Sequence, residues 1–223
     1  ARNGKKIVEL ETWALELQTF VHGEPMEVTG ETLMESAVAL GRFHQVCRDF
    51  PRPERDASMW RFSEVPRESF GKLYQLAVHY GHRAEVDDHC NRIALFLRDA
   101  NTELAADQRN LFETGLIHGD WHSGNLLYAN GRLAAIVDLE FAGDGCYLED
   151  LSYAISNLCV RTTMKADRLA KRVDLLLDSY QRYRTLSFRE LAALYYAVGV
   201  KHVATVAYQI QGDRHEVAGY GPH

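Results

Sequence analysis

Residues 116–140, LIHGDWHSGNLLYANGRLAAIVDLE, gather His118, Asp120, His122, Asn125, Asp138 and Glu140 around two short apolar runs. Asn130-Gly131 is the strongest turn signal in the chain, because both residue types tolerate the positive φ of a type I′ hairpin. That turn pairs NLLY with LAAIVDL antiparallel, so Asn125 at the start of the first strand approaches Asp138 at the end of the second. Asp120, in the loop just upstream, reaches the same edge. Carboxylate and amide oxygens are hard ligands suited to Mg²⁺, which keeps several waters and completes its shell with substrate phosphates. A further carboxylate held off the metal can accept a proton from an attacking hydroxyl. Together these are the parts of a phosphoryl-transfer site, where positioning and charge neutralisation supply most of the rate.

Two other readings use some of the same residues. His118, Asp120 and His122 alternate as H-x-D-x-H, which in an extended strand would share one face and suggest a zinc hydrolase. That reading lacks further ligands and leaves Asn125 and Asp138 without a role. A binding module that has lost catalysis is the second alternative, and retention of Asp120, Asn125 and Asp138 together argues against it.

The elements around the motif follow from pattern and composition. The chain has 223 residues, 46% hydrophobic and 25% charged, which suits a globular protein with a sizeable core. A net charge of −6 argues against nucleic-acid binding and leaves room for a cationic substrate. Cys47, Cys90, Cys146 and Cys159 show neither a CxxC pair nor finger spacing, so they are read as reduced and buried, in a cytoplasmic protein. No apolar run approaches the roughly 20 residues of a membrane span.

KKIVEL and WALELQTFV read as two strands. His22 to Pro25 breaks the pattern, and residues 31–48 carry Leu33, Met34, Ala37, Leu40 and Val46 at helical spacing behind a Thr29 cap. A loop rich in proline and charge precedes helices over 70–82, 87–101 and 103–114. Beyond the hairpin, 150–160 and 165–184 are predicted helices, and Ser187 with Glu190 forms a capping box that opens a last helix reaching about 211. The prediction is an α+β protein with a small β piece at the N-terminus, a single central hairpin, and helices elsewhere. Trp121 and the tyrosines Tyr195, Tyr196 and Tyr208 are assigned to the core. The acids Glu64, Glu68, Asp144 and Glu149 are assigned to solvated surfaces rather than to an amine pocket.

HGDWHSGN followed by IVDLE resembles the catalytic loop and metal-binding strand of the aminoglycoside phosphotransferase and choline kinase family, distant relatives of the protein kinases. The pattern H-x-D-x-x-x-x-N is met by His118, Asp120 and Asn125, with His122 in the family's HGDxHxxN form and Asp138 opening the second motif. The resemblance implies a protein-kinase-like fold whose residues 1–22 end the N-lobe sheet and hinge, and whose residues 23–223 form a helical C-lobe. It implies ATP and Mg²⁺ as cofactors, Asp120 as catalytic base, and Asn125 and Asp138 as metal ligands. His118 and His122 would be structural members of the loop. Glu140, on the same strand face as Asp138 by the period of 2, would touch metal or substrate. Backbone groups of Gln18, Thr19 and Phe20 would hold the adenine.

The implied reaction is transfer of phosphate to a hydroxyl of a small molecule of amino alcohol, aminoglycoside or amino sugar type, with neither nucleic acid nor membrane as partner. GRFH, ending the first helix, and Asp150 in DGCYLEDLSYAI also match family segments. A complete member would begin with a phosphate-covering loop and a strand lysine. Lys5 and Lys6 sit in the wrong strand for that task, so the chain is expected to be part of a longer polypeptide.

Overall fold

The computed structural model describes residues 7–10, 13–16, 19–52, 54–57, 71, 74–75, 77–79, 83–105, 111–162 and 165–212. The first two strands form where expected, although residues 19–21, expected to extend the second, carry no regular structure. β1 (Ile7–Leu10) pairs antiparallel with β2 (Trp13–Glu16), in a register running from Ile7 opposite Glu16 to Leu10 opposite Trp13. The expected break at 22–25 instead contains a short strand, β3 (Glu24–Pro25), laid along one side of the central hairpin. Proline is tolerated there because an edge strand does not need every N–H.

α1 (Gly30–Cys47) begins where the sequence places it. The backbone N–H of Thr32 donates to the Thr29 hydroxyl at 3.2 Å, and that of Thr29 donates to the Thr32 hydroxyl at 3.0 Å. Leu33, Ala37, Leu40 and His44 carry its buried face, whereas Val46, expected inward, is 59% exposed. The same face meets α4 (Ala166–Tyr180) at very close range, since a Cβ added to Gly41 would lie 2.6 Å from the Tyr180 carbonyl oxygen. Gly41→Ala is therefore expected to push the two helices apart and cost about 1–3 kcal/mol in urea unfolding. An unchanged midpoint would contradict this packing.

The helix expected over 87–101 is longer, α2 (Arg83–Glu103). Of the helix expected over 70–82, residues 71, 74–75 and 77–79 are helical and the remainder lies outside the described residues. The helix expected over 103–114 does not run to that point. Thr114 opens a strand instead, β4 (Thr114–Ile117), paired antiparallel with β7 (Gly143–Cys146). A sequence such as GDGC carries no strand signal, and its conformation is set by neighbours. The Asp144 N–H donates to the Arg55 carbonyl at 2.8 Å, and the Ala57 N–H donates to the Asp144 carbonyl at 3.0 Å. A Cβ at Gly143 would fall 2.5–2.7 Å from that passing backbone, which is why glycine stands there.

The central hairpin consists of β5 (Leu126–Ala129) and β6 (Arg132–Ile136), and the described strands form three small antiparallel sheets, where an N-terminal β piece and this hairpin were expected. α3 (Tyr147–Ile155) starts three residues before the predicted 150 and runs into a wider π turn, Ser156–Val160. α4 stops at Tyr180, short of the predicted 184. α5 (Phe188–Gly212) carries the expected capping box: the Glu190 N–H donates to the Ser187 hydroxyl at 3.1 Å, and the Ser187 N–H donates to the Glu190 carboxylate at 2.9 Å.

The core joins Leu33 and Leu40 of α1, Leu126 of β5, Leu148, Leu151 and Ile155 of α3, Leu158 of the π turn and Leu176 of α4. Tyr196 packs beside it, but Tyr195, assigned inward, is 70% exposed with its ring edge against Phe96, and the Tyr208 side chain lies outside the described set. Cys47, Cys146 and Cys159 are buried free thiols, while Cys90 is only half-buried. Among the described residues no helix is long and apolar enough to cross a membrane.

Candidate active site

The hairpin turn adopts the expected left-handed backbone, with φ of 53° at Asn130 and 74° at Gly131. Leu126 pairs with Ile136 and Ala129 with Arg132, with a bulge between Leu127 and Tyr128. Asn125 is not in the strand; it closes a single 3-10 turn, Ser123–Asn125, capped by His122. The ladder nevertheless continues for one bond past the strand, because the Val137 N–H donates to the Asn125 carbonyl at 3.0 Å. Asp138 follows at once, exposed and at φ 64°, a conformation that few residues besides glycine, asparagine and aspartate adopt. Thus Asn125 and Asp138 meet at the end of the hairpin, as the spacing implied.

Asp120 is 8% exposed and heavily hydrogen-bonded. The Asn125 amide donates to its carboxylate at 3.1 Å and to its carbonyl at 3.0 Å. His122 Nε2 lies 3.3 Å from the same carboxylate, and the Tyr153 hydroxyl is a further partner. Because His122 Nδ1 accepts the Gly124 N–H at 2.9 Å, the ring proton sits on Nε2 and points at Asp120. Burial pushes the Asp120 carboxyl up, but hydrogen bonds from His122, Tyr153 and Asn125 outweigh it and hold the group below its ordinary value of 3.8. Tyr153, by burial and by facing that charge, is driven well above the usual phenol range.

His118 braces the loop. Its Nε2 donates to the Val137 carbonyl at 3.1 Å and its Nδ1 accepts the Asp120 N–H at 3.2 Å. Both ring nitrogens are thereby engaged by backbone, so His118 is not placed as a zinc ligand. Among the described residues no group of three or more His, Cys, Asp or Glu could hold a metal ion. Gly119 has φ 83°, and a Cβ there would lie 2.5 Å from the Phe141 carbonyl oxygen, so the loop admits only glycine at that point.

Beneath the loop lies a buried polar network. The Asp150 carboxylate accepts the His118 and Gly119 N–H groups, each at 2.7 Å, and a third bond from His44 Nε2 at 3.0 Å. His44 Nδ1 accepts from the Tyr180 hydroxyl at 2.7 Å, and Arg184 Nη1 donates to that hydroxyl at 3.2 Å. Burial keeps His44 neutral, so its contact with Asp150 is a hydrogen bond to an ionised carboxylate rather than an ion pair. Arg184 is itself fully buried and paired with Glu113 and Glu190. The resemblance pointed to His44 and Asp150 as family segments without assigning them a contact. Tyr153, Tyr180 and Arg184 escaped notice altogether. The only local signal for Tyr153 is its position one turn after Asp150 on the same helix.

Other candidates fall elsewhere. Glu140 is not on the strand face with Asp138, because β6 ends at Ile136. It is exposed in a turn closed by the Ala142 N–H on the Leu139 carbonyl, and its carbonyl accepts from Arg55. Thr19 and Phe20 lie in exposed chain without regular structure, and Gln18 lies outside the described residues. Trp121 is fully buried and donates to the Ser36 hydroxyl at 3.0 Å, as a packing residue would. Asp144 pairs with Arg52 at 2.8 Å. Glu149 is not a solvated acid but a buried one, whose carboxylate caps α3 by accepting the Cys146 N–H at 3.1 Å. Glu64 and Glu68 lie outside the described residues.

The donor set suits a hard cation. Asn125 commits its amide nitrogen to Asp120, which leaves its side-chain carbonyl oxygen as the atom that could meet a metal, and the exposed Asp138 follows directly after Val137, whose N–H bonds the Asn125 backbone carbonyl.

Comparison with known proteins bears on the fold and family. A homoserine kinase of Bartonella henselae is 25% identical over 203 residues, covering 86% of this chain and 56% of the relative. A homoserine kinase of Caulobacter vibrioides is 36% identical over 87 residues, covering 39% of this chain and 26% of the relative. The chain spans about half the length of the first of these. Among solved structures, an aminoglycoside phosphotransferase from Alicyclobacillus acidocaldarius superposes with a TM-score of 0.71 at 15% identity, over 95% of this chain and 66% of that one. A microcompartment-associated aminopropanol kinase gives 0.63 at 19%, over 97% and 67%. These similarities show a shared kinase-like fold, and the model of the phosphotransferase enzyme family matches residues 1–186. The chain belongs to the phosphotransferase enzyme family.

Proposed function

We propose that the chain forms the catalytic lobe of an ATP- and Mg²⁺-dependent kinase acting on the hydroxyl of a small, amine-bearing molecule. The observation that carries this is the Asp120 carboxylate, buried, ionised and fixed by Asn125, His122 and Tyr153, with Asp138 brought to the same end of the hairpin by the backbone bond from Val137 to Asn125. Asp120 receives the acceptor hydroxyl and takes its proton as the oxygen bonds to the terminal phosphorus of ATP and the bond to ADP breaks. Its low basicity suits a loose transition state, in which the proton leaves late and orientation matters more than base strength. Asn125 Oδ1 and the Asp138 carboxylate would hold Mg²⁺, which when bound would neutralise charge on the phosphates. Asn125 thus couples the two halves, one side of its amide on the base and the other toward the cation. The acceptor class follows the named activities of similar proteins, a homoserine kinase, an aminopropanol kinase and an aminoglycoside phosphotransferase, all of whose substrates combine a hydroxyl with an amine.

Titration calorimetry with ATP, with and without Mg²⁺, tests the assignment. Binding should require Mg²⁺ and weaken at least about tenfold in Asp138→Ala, which corresponds to roughly 1.4 kcal/mol. Magnesium-dependent binding of equal strength in the variant would remove Asp138 from the site.

A further inference from the structure

The chain that leaves Asp138 is gripped by a segment more than 80 residues upstream. Arg55, in the loop rich in proline and charge after α1, donates from Nη2 to the Glu140 carbonyl at 2.8 Å and to the Ala142 carbonyl at 2.6 Å. Its own carbonyl accepts the Asp144 N–H at 2.8 Å, and the Ala57 N–H donates to the Asp144 carbonyl at 3.0 Å. Arg52 ties the far end, donating to the Asp144 carboxylate at 2.8 Å and to the Thr114 hydroxyl at 2.7 Å. Within this grip the turn after Asp138 is closed by the Ala142 N–H on the Leu139 carbonyl at 3.1 Å. Its other side meets the catalytic loop: the Phe141 carbonyl oxygen comes up against Gly119, where a Cβ would stand only 2.5 Å away. Carbonyls 140 and 142 thus go to Arg55, and carbonyl 141, between them, goes to the loop that carries Asp120.

We propose that Arg55 is a positioning residue for the metal site: by holding carbonyls 140 and 142 it pins the 139–142 turn against the catalytic loop and fixes Asp138 in the place Mg-ATP requires. This rests on the reading of Asp138 as a metal ligand given above. Asp138 needs such support because its φ of 64° lies in a region where a non-glycine residue persists only if its surroundings over-determine it. The guanidinium suits the task, being permanently charged and a donor only, and bonds from a charged donor are roughly twice as strong as neutral ones. Groups that orient metal ligands usually bond the ligand side chain itself. Here the support acts through the backbone, two and four residues past Asp138.

Two plainer roles predict different results. If Arg55 only staples a surface loop, its loss lowers stability and leaves Mg²⁺ binding alone. If it acts only as a nearby positive charge, its loss tightens Mg²⁺ binding, because like charges repel. The test is titration calorimetry of Mg²⁺-dependent ATP binding by the full chain, alongside urea unfolding, for wild type, Arg55→Gln, Arg55→Lys and Asp138→Ala. The fitted stoichiometry counts the folded fraction, so lost stability does not register as lost affinity. Arg55→Gln should weaken binding about tenfold. Its urea midpoint should stay near that of wild type, because the backbone bonds of Arg55 and Ala57 to Asp144 remain. Arg55→Lys should recover part of the affinity, since it keeps the charge and loses the fork. Binding by Arg55→Gln as tight as wild type or tighter, with Asp138→Ala weakened, would overturn the role of Arg55 and leave Asp138 in place. Absence of Mg²⁺-dependent binding in wild type, or equal binding by Asp138→Ala, would overturn the metal-site reading and this inference with it.

Discussion

Asp120→Asn should lower phosphoryl transfer by about 10²- to 10⁴-fold, the usual contribution of a positioned general base. Asparagine fills the same space but neither accepts a proton nor carries the charge that His122, Tyr153 and Asn125 are arranged around. Nucleotide binding should be largely kept, because Asn125 Oδ1 and Asp138 are untouched; the split between turnover and nucleotide affinity is the measurement. The pH profile adds a second readout. The folded Asp120 carboxyl titrates below its ordinary value of 3.8, so activity should show no acid limb attributable to it between about pH 5 and 8. A wild-type rate that fell through a carboxylate-like limb near pH 6, or an Asp120→Asn enzyme within threefold of wild type, would remove Asp120 from the role of base.

Asp150→Ala should be the most damaging substitution for stability, at about 3–5 kcal/mol in urea unfolding. The carboxylate is fully buried and satisfies three donors at once: the His118 and Gly119 N–H groups and His44 Nε2. Alanine leaves all three without a partner in a site that water does not reach, and each orphaned group costs about 1–3 kcal/mol before relaxation. The sign of the pH dependence follows. Burial raises the Asp150 pKa, yet bonds from His44 and from the loop backbone lower it further than burial lifts it. A group depressed in the folded state contributes stability that is present above its unfolded value near 3.8 and lost as pH falls through the folded value. Wild type should therefore lose stability steeply below about pH 4, and Asp150→Ala should be flatter there. A midpoint within error of wild type at neutral pH would mean that the loop is held by something else. Since the same bonds fix Gly119 and the start of the loop, residual folded variant should also turn over slowly.

The two predictions mark different kinds of legibility. Asp120, Asn125 and Asp138 could be read from sequence because their meeting is a local affair: one turn with two positive-φ residues folds a segment of 19 residues, 120–138, back on itself. The caps at Thr29 and Ser187 and the helical stripes of α1 and α5 are legible for the same reason, since each signal lies within a few residues of the structure it specifies. Glu140 shows the limit of the method. The period of 2 holds only while a strand continues, and nothing local announces that β6 stops at Ile136.

What only the tertiary structure decided depends on distant partners. β4 and β7 are strands because each is opposite the other and a third segment passes over Gly143, not because TGLI and GDGC prefer to extend. Glu149 is buried because its own helix start needs an acceptor. Tyr153 faces Asp120 only through the packing of α3 beneath the loop, and His44 finds Asp150 across 106 residues. A pattern in the sequence can state which residues could do chemistry and which turn brings them together. Which groups hold them still is settled by burial, where every polar atom must find a partner from whatever part of the chain lies against it.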